Sequence, residues 1–145
     1  MRAALIALSA ALIAGCGEST ATTGPIVGRV TLEVSGGIAG WDRIVAVDPD
    51  GTVHVQALSG PTPSPTTEKL DPDVLRRLHE LVSDPAFAQL GPAYVPPEPG
   101  ADLQDYRVTA EVGGKTLKTM ARQGSHPPPI LRQVLDLLRG IAGIG

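Results

Sequence analysis

A single cysteine among 145 residues leaves this chain no internal disulfide. Aromatic residues make up only 3%, so any core must be built from Val, Leu, Ile and Ala. No basic run appears, and 12 Lys and Arg against 15 Asp and Glu give a formal net charge of -3. That excludes nucleic acid as an expected partner, because its phosphates call for clustered cations. Nor is there an apolar run long enough to span a bilayer as a mature helix. What remains is 42% hydrophobic, which suits one globular domain with a modest core. Gly 17 and Pro 14 are high counts and fall mostly in connecting segments.

The N-terminus reads as a processing signal rather than as part of the fold. Met1-Arg2 is followed by an apolar stretch, 3–14, broken only by Ser9. It suits a secretory signal. The stretch ends in Ile13-Ala14-Gly15-Cys16, which resembles the bacterial lipobox: a branched apolar residue, two small residues, then the cysteine that accepts diacylglycerol. Residues 1–15 are therefore expected to be a lipoprotein signal peptide, with lipidation at Cys16. Residues 16–27 would be the lipidated cysteine and a flexible tether, and 28–145 the folded domain. The implied location is outside the cytoplasm, anchored to the membrane through the lipid.

Alternation and turn chemistry order the rest. Strands are expected over 28–34, 41–47, 52–57, 106–112 and 115–121. Asp48-Pro49-Asp50-Gly51 and Gly113-Gly114 are turn signals between them. Asp71 and Pro72 open a helix with Leu70 placed to staple onto Leu75, and its stripe is Val74, Leu75, Leu78, Leu81 and Val82. Pro85 stops it, and Phe87 is expected to pack back on the core. A last helix over 128–141 carries Ile130, Val134, Leu137, Leu138 and Ile141. The order βββαββα implies an α+β fold: an antiparallel sheet of about five strands with two helices on one face.

Catalytic and metal chemistry is not expected. His79-Glu80-Leu81-Val82-Ser83 begins like the zinc-peptidase helix motif, but Ser83 stands where the second histidine must be. Ser35 has Glu33 where a nucleophile elbow needs glycine. Ser125 beside His126 reads as a turn or cap, Asp71 and Asp73 as complements to a helix dipole, and Lys118 and Arg122 as solvated strand residues. No cofactor and no enzyme activity are expected.

One segment lacks a structural explanation. Ser35-Gly36-Gly37-Ile38-Ala39-Gly40-Trp41 joins the first two strands and sets a bare isoleucine among glycines. That loop, the helix start Leu70-Asp71-Pro72-Asp73-Val74-Leu75-Arg76-Arg77-Leu78, and Asp105-Tyr106-Arg107-Val108-Thr109-Ala110-Glu111 with the closing Pro128-Pro129-Ile130-Leu131-Arg132 resemble the emfourin family of protealysin inhibitors. The resemblance covers most of 29–140, and the loop is its most specific part. The lipobox and the long proline-rich connectors depart from the family pattern.

The resemblance implies a domain that inhibits thermolysin-like (M4) metallopeptidases. These enzymes favour a bulky apolar residue just after the scissile bond. Ile38 would be the anchor, Ser35, Gly36, Gly37, Ala39 and Gly40 would shape the loop, and Trp41 would flank the contact. A tryptophan starting a strand more often packs in a core than binds a partner, and Ile38 has the alternative of folding back over the sheet edge as a satellite of the core. Tyr94, between prolines, is a further candidate for partner contact. The alternative reading is an envelope lipoprotein whose domain is a structural or interaction module with no peptidase target. An exposed, projecting Ile38 separates the first reading from the second.

Overall fold

The structure, a computed structural model, describes residues 24–144 apart from 39, 41, 60–66 and 99. The expected signal peptide, Cys16 and most of the tether lie outside the described residues, as do Ala39 and Trp41.

Six strands and three helices follow one another: β1 (Val27–Gly36), β2 (Arg43–Val47), β3 (Thr52–Ala57), β4 (Thr67–Lys69), α1 (Pro72–Ser83), α2 (Pro85–Ala88), β5 (Gln104–Val112), β6 (Lys115–Arg122) and α3 (Pro129–Ile141). The strands form one antiparallel sheet in the order β4-β3-β2-β1-β5-β6. This is the expected α+β architecture with two additions, β4 and the single turn α2. Thr67-Glu68-Lys69 has no apolar alternation to announce a strand, yet it pairs with residues 52–54. Pro85 does stop α1, but it also starts α2, because the Asp84 carboxylate accepts from the Ala86 N–H at 2.8 Å.

Strand pairing places every second residue on one face. Val30, Leu32 and Val34 of β1 stand beside Val47 and Val45 of β2 and beside Ala110, Val108 and Tyr106 of β5. The helices cover this face. Leu78, Leu81 and Val82 from α1 and Phe87 from α2 are buried there. The buried residues of α3 are Leu131, Val134, Leu135 and Leu138. Its stripe is thus turned from the expected one: Leu131 and Leu135 are core, while Ile130, Leu137 and Ile141 are only half-buried.

Local chemistry fixes the element ends. Asp71 accepts from the Asp73 N–H at 2.8 Å with Pro72 next to it, as the cap signal required. Ser125 does not cap α3; its N–H closes a turn onto the Arg122 carbonyl at 3.0 Å, and the cap position is Pro128, with no side-chain hydrogen bond. The sheet also begins earlier than expected. Val27 is buried within β1, and the Ile26 carbonyl accepts from Gly113 N–H at 2.9 Å.

The chain between α2 and β5 guards the β6 edge. Tyr94 N–H donates to the Met120 carbonyl (2.8 Å), Met120 N–H to Pro92 (3.1 Å), and Arg122 N–H to Tyr94 (2.9 Å). The Tyr94 hydroxyl accepts from Gly91 N–H at 2.8 Å. Tyr94 is therefore a half-buried structural residue rather than one offered freely to a partner.

Candidate partner-binding loop

The uncovered face of the sheet is polar, and its charges gather below the β1–β2 loop. Arg107 donates to Glu33 Oε1 at 3.0 Å and to Ser35 Oγ at 3.3 Å. Arg122 grips Asp105 through two hydrogen bonds, 2.7 and 3.0 Å, the planar fork matching the carboxylate. The Arg122 guanidinium holds the Asp105 carboxyl below its usual pKa, against the opposing effect of burial. Arg122 is thus half-buried and paired, not the solvated strand residue expected from sequence. Ser35 pairs with Asp105 in the β1–β5 register, so this network sits at the foot of the loop.

The loop above is held by side chains from both ends of its own hairpin and beyond. β1 and β2 pair up to Val34 and Arg43. Asp42 Oδ1 then accepts from Gly36 N–H at 3.1 Å, reaching across the base. Gly40 N–H donates to the Gly37 carbonyl at 3.0 Å, which closes a turn containing Ile38. Ser59, just after β3, locks the exit. Its hydroxyl accepts from Asp42 N–H at 2.9 Å and donates to the Gly40 carbonyl. Leu58 N–H adds a bond to the Asp42 carbonyl at 2.8 Å.

Gly36 and Gly37 are required by this geometry. Both have positive φ, 84° and 85°. A Cβ on Gly36 would sit 2.8 Å from the Leu103 carbonyl oxygen, and one on Gly37 2.9 Å from Gln104 Cγ. The backbone thus folds against the entry to β5 as closely as glycine allows.

At the tip Ile38 is 90% exposed, the highest value among the large hydrophobics of the described residues. It does not fold over the sheet edge. An isolated apolar residue on a surface is ordinary; this one stands on a loop tied by backbone and side-chain bonds. Leu58, half-exposed, lies at the same end of the sheet beside the Ser59 lock.

Of the residues singled out from sequence, the structure places Ser35 and Gly36 at the end of β1 and Gly37, Ile38 and Gly40 in the turn that follows. Ala39 and Trp41 lie outside the described residues. Sequence reasoning missed Asp42 and Ser59. Asp42 had a local signal, an Asp at a strand start after a glycine loop. Ser59 had none, because its role depends on β3 lying beside β2.

Elsewhere, His79 is half-buried on α1, where burial lowers its pKa. Among the described residues no three His, Cys, Asp or Glu side chains assemble as a metal-binding group, and no helix is long and apolar enough to cross a membrane. No protein-family model matches this sequence, and no curated protein matches it either.

Proposed function

We propose that this protein is a membrane-anchored lipoprotein whose domain inhibits a thermolysin-like metallopeptidase by inserting the Ile38 loop into the active-site cleft. The observation that carries the reading is an isoleucine 90% exposed at the tip of a rigidly tied glycine turn. A water-facing apolar side chain gains about 1.5–3 kcal/mol when a pocket encloses it. Prior ordering of the loop then reduces the entropy lost on binding. The glycines leave a narrow backbone that can enter a cleft, and the polar network at its foot resists displacement. The apolar pocket that such peptidases use for the residue after the scissile bond is a match for an aliphatic side chain. The membrane anchor rests on the Ile13-Ala14-Gly15-Cys16 motif alone.

The test is a titration of the chain from residue 17 onward against a thermolysin-type peptidase with a fluorogenic peptide substrate. The expected result is tight inhibition that Ile38→Asp abolishes. A folded domain that inhibits none of several such peptidases would overturn the reading and leave an interaction module with another target. Labelling with radioactive palmitate in a bacterial host, abolished by Cys16→Ser, checks the anchor.

A further inference from the structure

On the helical side of the sheet, a cavity of about 290 Å³ opens between α3 and the β5–β6 ladder. Tyr106, Arg122, Gln123, Arg132, Leu135 and Arg139 line it. The Nε of Arg139 is buried and has no hydrogen-bond partner, the one such side-chain atom among the described residues. Its guanidinium lies over the Tyr106 ring, 5.4 Å from the centroid. Cation–π contact accommodates the charge, but it gives the Nε–H no acceptor. A charged donor left unmatched in a desolvated place is costly, and native structures resolve such cases with an ion, a water or a ligand.

The surrounding groups do not resolve it. The carboxylate of Asp105 is committed to Arg122. Asp136, one helical turn before Arg139, also lines the cavity but forms no ion pair with Arg139 or with Arg132 among the described residues. The Tyr106 hydroxyl donates to Gln104 Oε1 at 2.7 Å. Arg132 is exposed and has no partner among the described residues. Once Asp105 has neutralised Arg122, α3 brings two guanidiniums, Arg132 and Arg139, and one carboxylate, Asp136, to the lining of the cavity. Leu135 and Pro127 add apolar wall.

We infer that this cavity binds a small carboxylate with a compact apolar body, its oxygens taken by Arg139 and Arg132 and its body lying against Leu135. The volume falls at the small end of ligand cavities, and a planar guanidinium matches a carboxylate through paired N–H bonds. The carboxylate can belong to a free organic acid or to the C-terminus of a peptide; the recognising chemistry is the same. No residue of the Ile38 loop lines the cavity, and the inference does not depend on the peptidase reading.

The test titrates benzoate, benzamide, N-acetyl-dileucine with a free C-terminus and its C-terminal amide into the full-length chain, read by calorimetry and by the Nε–H resonance of Arg139. Expected are saturable binding of at least one carboxylate, a shifted Arg139 resonance, and at least tenfold weaker binding of the uncharged partner compounds. Arg132→Gln, on an exposed residue that leaves the fold intact, should weaken binding about tenfold, the loss of one charge-assisted contact; Arg139→Lys should abolish it, and Ile38→Asp should not change it. Tighter binding of the dileucine acid than of benzoate points to a chain terminus, the reverse to a free acid, and both support the site. No saturable binding of either acid up to about 10 mM, or amides binding as well as acids, would overturn it.

Discussion

The two loops at either end of β2 solve the same problem with opposite surfaces. Each is a tight connection held by aspartate. At the β2–β3 turn, Asp50 accepts from Thr52 N–H at 3.0 Å and from Lys69 Nζ at 2.6 Å, while Asp48 joins Arg29 at 2.7 Å and His54 at 2.9 Å. Gly51 is buried there, its α-carbon turned toward Leu75 and Leu70. That loop ends in charge and packs its glycine onto the core. The β1–β2 loop uses Asp42 and Ser59 in the same bracing role, yet it lifts Ile38 into water. Bracing alone is therefore ordinary loop architecture. The combination of bracing with an unshielded apolar tip is what sets the second loop apart and directs attention to binding.

That contrast can be broken by mutation. Ile38→Asp should raise the inhibition constant at least about a hundredfold, a loss near 3 kcal/mol. The melting temperature should stay unchanged, because the side chain is 90% exposed. A matching fall in melting temperature would instead make Ile38 a stability residue. Next in size, Gly36→Ala should cost about 2 kcal/mol or more, since positive φ and the Leu103 carbonyl both oppose a Cβ. Inhibition should weaken with it. Gly51→Ala, at φ 85° with Leu75 Cδ2 3.1 Å from the new atom, should lower chemical-denaturation stability by about 1–2 kcal/mol and leave inhibition intact. Equal effects of the two glycine variants on inhibition would erase the distinction between the loops.

Smaller again, Asp42→Ala removes the bond to Gly36 N–H and should cost about 1 kcal/mol of stability. Faster amide exchange at Gly36 and Gly40, measured by NMR, is its local signature. The mildest perturbation is acid. Hydrogen bonds from Arg29 hold the Asp48 carboxyl below its usual pKa, and those from Lys69 and Thr52 hold Asp50 far below. A depressed carboxylate stabilises the fold above the unfolded value of about 4 and loses that contribution as pH falls through the folded value. Melting temperature should therefore decline below about pH 4, and less steeply in Asp48→Asn. Asp50 is exposed and Asp48 only partly buried, so the effect is modest and salt-sensitive.

The parts legible in sequence were those with local causes. The capped helix at Asp71-Pro72, the Gly113-Gly114 hairpin and the β3 alternation follow from neighbours along the chain, and each occurs as expected. The parts missed depend on distant residues. β4 exists because residues 52–54 offer it an edge, not because Thr67-Glu68-Lys69 favours extension. The α3 stripe was misplaced because a helix with seven aliphatic residues in thirteen positions leaves its rotation to be set by the sheet. In the candidate site, glycines and isoleucine marked the loop, whereas Ser59, 19 residues beyond Gly40, became visible only through strand pairing.

The Pro92–Tyr94 segment along β6 has a consequence for how copies of the molecule tolerate one another. It occupies backbone groups of Met120 and Arg122 that the end of an outer strand would otherwise hold out to a neighbour. The opposite border is β4, three exposed residues with Glu68 and Lys69 among them. A stub that short and that charged is a poor template for strand addition. Two borders blunted in this way lower the tendency of copies to join edge to edge and grow into fibres.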